Sequence, residues 1–195
     1  MTGRPRQVTD DEILDAVAQT VSAIGPDKLT VAAVAARIGV TAPAVRQRFG
    51  SKRDLLVAFA ARAAKTATQT FDSAAATALD PIAALIDGLA ACGTFTDRIE
   101  MAHHLALLHL DLTDPDLSDS ASQHSRTLLA AIRAKIVRAV AHGQINTSCN
   151  TDELAESVYT TYNGAMITWA IDGEGPSRDW LIERLHRTIG PHRST

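Results

Sequence analysis

The chain has 195 residues, enough for one domain or for a small head on a larger body. Its net charge of −3 by itself argues against a nucleic-acid binder, and two cysteines, Cys92 and Cys149, do not make a disulfide framework. No apolar run approaches the roughly 18 residues needed to span a bilayer, and the polar N-terminus lacks a signal peptide's hydrophobic core, so the expected setting is the cytoplasm.

The distribution of charge reverses the first impression. Residues 1–55 carry a net +2, which leaves −5 for the other 140 residues. A basic head on an acidic body is the footprint of a protein that touches DNA at one end. Arg4 and Arg6 add a basic arm that can reach a minor groove or the backbone.

In chain order the sequence predicts helix after helix. Thr9 and Glu12 form a capping box ahead of an apolar stripe, Ile13, Leu14, Val17, Val21 and Ile24, which Gly25-Pro26 stops. Val31, Val34, Ala35 and Ile38 make the buried face of a short second helix, and Gly39 supplies the left-handed residue that ends it. Thr41 is the N-cap of a third, with Pro43 in its first turn. Ser51 and Asp54 begin a long helix running toward Phe71. Asp80-Pro81 opens the next. Residues 96–112 are apolar on nearly every face, which predicts a central helix. Asp114-Pro115-Asp116 breaks the chain before a helix from Leu117 to Ala141. Asn150 with Glu153 caps another, and Ser177 begins the last. No strand pattern or internal repeat is seen. The expectation is an all-α chain of about nine helices.

Helix, glycine turn, helix over residues 30–49 is the outline of a DNA-binding helix-turn-helix. At about 100° per residue, Val45 and Phe49 face the core, and Pro43 and Gln47, flanked by Arg46 and Ala44, face away. Arg46 can pair with a guanine and Gln47 with an adenine, each worth roughly 1–3 kcal/mol of discrimination. Arg48 at the edge and Lys52 at the next helix's N-terminus suit phosphates. Thr30, Thr41 and Ala42 complete the candidate DNA-facing set.

Gly39, Val40, Thr41, Pro43, Val45, Phe49, Ser51, Lys52 and Leu55 together resemble the tetracycline-repressor (TetR) family of bacterial transcription regulators. The family usually has Tyr where this chain has Arg46, and often His where it has Arg48. The motif covers residues 9–56. The resemblance implies a helix-turn-helix DNA-binding domain over 1–54, joined by the long helix to a helical effector-binding and dimerisation domain over 55–195. It also implies a homodimer whose last two helices form the interface, and repression as the usual mode.

Twofold symmetry would set recognition helices roughly 34–36 Å apart and require a palindromic operator in double-stranded DNA. For the interface the stripes on the last two helices offer Leu154, Val158, Tyr162, Trp180, Leu181 and Leu185. For a small-molecule effector the candidates are Met101, His104, Leu105 and Leu108 on the central helix, facing Tyr162, Met166 and Trp169. The same residues also read as ordinary core.

Two other classes compete. No nucleophile elbow, Walker loop, dinucleotide fingerprint or zinc-protease motif occurs, so no enzyme and no cofactor is expected. His103, His104 and His109 with Cys92 raise a metal-responsive regulator, but adjacent histidines diverge by about 100° on a helix and His109 is five residues from His104, so no metal site is expected. A helical protein-interaction module would keep the helices but show no preference for an operator.

Overall fold

The structure, a computed structural model, describes residues 8–76 and 80–194. These residues form an all-α fold of nine helices: α1 (Asp10–Lys28), α2 (Val31–Arg37), α3 (Ala42–Phe49), α4 (Lys52–Ala76), α5 (Pro81–Cys92), α6 (Arg98–Thr113), α7 (Pro115–Ala141), α8 (Thr151–Asp172) and α9 (Ser177–Ile189). A 3-10 turn, Gly190–His192, follows, and one isolated bridge joins Ile145 to Arg193.

Helix starts sit where side chains satisfy the first backbone donors. The Glu12 N–H donates to Thr9 Oγ1 (3.2 Å) and the Thr9 N–H to Glu12 Oε2 (2.8 Å), the reciprocal box expected for α1. Asn150 Oδ1 accepts from the N–H groups of Asp152 and Glu153 at the start of α8. Gly25 is non-helical, so the regular run of α1 stops there as expected, and a short turn continues across the kink to Lys28. One boundary differs from expectation. α7 begins at Pro115, leaving only Asp114 between it and α6, because proline is well placed in a helix's first turn.

The chain divides into two compact units, and the division falls inside α4, α6 and α7. The first comprises the chain up to Ala63 together with Ala102–Ala121. Its core is built from Ile13, Leu14, Val17 and Val21 of α1, Leu29 between α1 and α2, Val31 and Val34 of α2, Val45 of α3, and Leu55, Leu56 and Phe59 of α4. Leu107 and Leu110 of α6 pack against it. The expectation that α6 is central is overturned. Only Met101 in it is buried, while Ile99, Leu108 and Leu112 are 65%, 39% and 73% exposed. Apolar residues all round a helix do not bury it when neighbours cover only one side.

The second unit comprises Ala64–Met101 and Ser122 onward. α8 and α9 pack along each other. Ile82, Leu85 and Leu89 of α5, Ile132 and Ile136 of α7, Leu154 and Val158 of α8, and Leu181, Leu185 and Ile189 of α9 are buried. Ser177 locks the start of α9, donating to the Phe95 carbonyl (2.8 Å) and accepting the Phe95 N–H (3.0 Å). The expected mating residues are therefore corrected: Leu154, Val158, Leu181 and Leu185 are core of their own chain. Tyr162 is half-buried against Gly93, and half-buried Trp180 lies under the Arg184 guanidinium, 3.2 Å from the ring centre. A stripe at helical spacing identifies a buried face, not what buries it.

Asp111 on α6 is a half-buried carboxyl whose Oδ1 has no hydrogen-bond partner. Desolvation pushes its pKa up to about 6. A raised pKa in the folded state means that folding binds a proton more tightly, so stability is highest at low pH and is lost as pH rises through about 6. Thermal unfolding of Asp111→Asn should show a gain of about 1 kcal/mol at pH 7.5, discounted for partial exposure, shrinking to nothing toward pH 4.

Candidate nucleic-acid interface

Three short local devices build the surface around α3. Thr30 caps α2, its Oγ1 accepting the Ala33 N–H at 3.1 Å. α2 ends with Gly39 at φ +70°, where the Val40 N–H reaches Ala35 O (3.0 Å) and the Gly39 N–H reaches Ala36 O (3.4 Å). This is the paired closure of a left-handed C-terminal turn, and it requires glycine because of its φ alone. Thr41 then caps α3, accepting the Ala44 N–H at 3.4 Å. Pro43 occupies the first turn, where its missing N–H removes no helical bond.

The turn presents α3 as the sequence predicts. Val45 is 1% exposed, and Phe49 and Val40 pack against the same core. Thr41, Pro43, Ala44, Arg46, Gln47 and Arg48 are exposed, and Ala42 is half-buried. Among the described residues the side chains of Arg46 and Gln47 carry no hydrogen bond or ion pair. α4 opens with the expected box: the Ser51 N–H donates to Asp54 Oδ2 (2.9 Å) and the Asp54 N–H to Ser51 Oγ (3.2 Å). The Ser51 N–H and hydroxyl, both donating to Oδ2, hold the Asp54 carboxyl below its ordinary range.

Four other cations of the first unit have partners. Arg48, expected to reach outward, is instead paired with the Asp10 carboxylate and the Val8 carbonyl. Lys52 Nζ donates to the Asp27 carbonyl at 2.8 Å, which places it beside the α1–α2 corner. Arg62 holds Asp15 (2.7 Å) and Asp11 (3.7 Å). Arg53 is gripped by two carboxylates of the α6–α7 turn: its Nε and Nη2 donate to Asp114 (both 2.7 Å) and its Nη1 meets Asp116 at 2.8 Å. Arg53 in turn holds the Asp114 carboxyl below its usual range.

Arg4 and Arg6 lie outside the described residues. The candidate effector set is split. Met101, Met166 and Trp169 are buried and Tyr162 half-buried in the second unit, whereas His104, Leu105 and Leu108 belong to the first, with His104 and Leu108 exposed. The Trp169 indole N–H donates to Gly175 O (3.1 Å), so this ring closes its own α8–α9 loop. Among the described residues no three His, Cys, Asp or Glu side chains are grouped as metal ligands. No helix of the described residues is long and apolar enough to cross a membrane.

Sequence reasoning missed two residue sets. Asp114 and Asp116 were legible only as a chain break, and nothing in the order of residues pairs them with Arg53. His103 was weighed only as a metal ligand; its Nδ1 lies 2.6 Å from Ser22 O. The available signal was Pro26, which has no N–H to give the carbonyl four residues before it.

Residues 13–59 match the family model described as bacterial regulatory proteins, tetR family. Among solved structures, a Saccharomonospora viridis protein described as a transcriptional regulator, solved in complex with choline, superposes with a TM-score of 0.80 at 19% identity, covering 95% of this chain and 97% of that one. A TetR transcription regulator from Haloarcula marismortui gives 0.78 at 19% identity over 94% and 97% of the two chains. SmeT, the repressor of the Stenotrophomonas maltophilia multidrug efflux pump SmeDEF, gives 0.66 at 20% identity over 96% and 92%. Curated protein sequences contain no significant match. The tetR family model thus covers the helix-turn-helix of the first unit, and the all-α fold of the described residues is the one shared by these solved structures.

Proposed function

We propose that the chain is a sequence-specific DNA-binding transcriptional regulator, a homodimeric repressor released from a palindromic operator by a small-molecule effector. One observation carries this reading: the outward side of α3 is exposed and presents Arg46 and Gln47 without partners among the described residues. These are side chains that read base edges. Thr30, Thr41, Ala42, Pro43, Ala44 and Lys52 border that side as backbone contacts, and Arg4 and Arg6 extend it. Arg48, tied to Asp10, acts by holding the start of α1 against α3. Residues 1–54 are then the DNA-reading domain, and 55–195 carry the effector site and the mating surface. The setting of such a regulator is the cytoplasm, and its work involves no catalysis.

For the mating surface, the exposed face of α8 replaces the stripe read from sequence. Ser157, Thr160, Gly164, Ile167 and Ile171 recur at helical spacing, with Ile167 38% and Ile171 65% exposed. A side chain added at Gly164 would meet open space, so a second helix can approach closely there. For the effector, the S. viridis protein holds choline and SmeT has been solved with triclosan. Here Met101, Tyr162 and Met166 are the residues of the second unit suited to meet an apolar ligand. Burial opposes ionisation of the Tyr162 hydroxyl, which stays a neutral donor. An effector acts only through its different affinities for the DNA-bound and released shapes.

The decisive experiment is selection from random duplex oligonucleotides. It should enrich a palindrome with half-sites one helical turn apart, and enrichment of no sequence overturns the reading. On the selected operator, Arg46→Ala and Gln47→Ala should each remove roughly 1–3 kcal/mol of preference at particular base pairs and leave random-sequence binding unchanged. Lys52→Ala should weaken binding to every sequence and flatten the salt dependence, both read by fluorescence anisotropy. Ile167→Glu should weaken self-association at least about tenfold in sedimentation equilibrium with an unchanged helical spectrum, since a charge would replace an apolar contact.

A further inference from the structure

We propose that His103 of α6 is a positioning residue for the DNA-reading surface, holding the kinked end of α1 in the geometry from which α2 and Lys52 are set. The inference rests on the DNA-binding reading above and extends the reading machinery to a residue outside the helix-turn-helix. In an unbroken helix the carbonyl of Ser22 would accept from the N–H of residue 26, but Gly25 breaks the helix before it and Pro26 has no N–H. His103 Nδ1 stands 2.6 Å from that oxygen. A carbonyl only accepts, so the ring nitrogen carries the proton and donates it, taking the place of the missing amide.

A second observation is steric. Gly25 has φ +79°, and a Cβ there would lie 2.9 Å from His103 Cδ2, so the imidazole rests directly on the glycine. The glycine is required twice, by its backbone conformation and by the ring above it. Leu29, four residues on, is fully buried, and Thr30 next to it caps α2. Between them and the kink, the Asp27 carbonyl receives Lys52 Nζ at 2.8 Å. Thr30 and Lys52, two of the proposed backbone contacts, therefore hang on the corner that His103 braces.

The same stretch of α6 holds the head at two further places. Leu107 and Leu110 pack into its core, and Asp114, just past the helix end, grips Arg53 in the first turn of α4. α6 thus fastens α1 by a hydrogen bond and α4 by an ion pair within one compact unit. Loss of the His103 contact leaves the Gly25-Pro26 kink free to vary, and phosphate contacts that need Thr30 and Lys52 together lose their common frame.

The test uses the full-length protein and the operator selected as above. His103→Ala and His103→Phe should each lower operator affinity about tenfold, the scale of one part-buried hydrogen bond, well below the unfolding temperature. His103→Asn, whose side-chain N–H can occupy the Nδ1 position, should restore binding to within about threefold of the natural chain. Hydrogen exchange at residues 27–30 should quicken in the Ala and Phe variants and return to normal in the Asn variant. A merely space-filling role would instead let Phe rescue and Asn fail, and that result, or full operator affinity in all three, overturns the proposal. Should the natural chain select no operator, the DNA reading fails, and the exchange pattern alone then decides for or against the bracing role of His103.

Discussion

The burial of Val45 governs the head. α3 has eight residues, far too few to be stable as an isolated helix, so it exists because one face is held in a core made by other helices. With Val45 almost wholly removed from water, the rotation of α3 about its axis is fixed, and Arg46 and Gln47 must point away. The left-handed turn at Gly39 delivers the chain to this position, and the Thr41 hydroxyl starts the helix there. The exposed face of α3 is thus a consequence of packing on its opposite side.

Charge is arranged to the same end. Asp10 and Asp11 stand in the acidic first turn of α1, and Asp15 in the turn after it. Arg48 and Arg62 take up these carboxylates. Exposed pairs of this kind add little to stability, generally under about 1 kcal/mol, so their effect is chiefly to orient and neutralise. The net +2 of residues 1–55 becomes a local matter: repulsion from the α1 acids is quenched by neighbours, while Arg46 keeps its charge directed outward.

The helix-turn-helix, the capping boxes and the order of nine helices were legible because each is a local rule whose partners lie within four residues. Thr9 with Glu12, Ser51 with Asp54, and Gly39 after Ile38 need no tertiary knowledge. Val45 and Phe49 aside, inferences that needed to know the partner of a face fared worse. Leu154, Val158, Leu181 and Leu185 form genuine stripes, but the structure closes them within their own chain. α6 is apolar all round, yet neighbours cover only part of it. Trp169 and Met166 look alike in a stripe, and only the fold shows that the indole N–H is taken by Gly175 O. Periodicity carries the existence of a buried face and is silent on distance along the chain.

The long-range fastenings of the first unit arise where local rules are broken. Pro26 breaks the ladder of α1, and the carbonyl it leaves behind is met by a side chain 81 residues away. Pro115 suits the first turn of α7, which follows α6 with only Asp114 between, and the compressed turn displays two carboxylates that close on Arg53, Asp114 from 61 residues away. In the turn Asp114 also accepts the Asp116 N–H at 3.1 Å, so one carboxylate serves both as a cap and as half of the grip. A regular helix satisfies its own backbone and leaves only side chains to bind a neighbour by hydrogen bonding. An interruption leaves donors and acceptors to be matched from elsewhere, which is why the two points that tie α6 to α1 and α4 coincide with prolines.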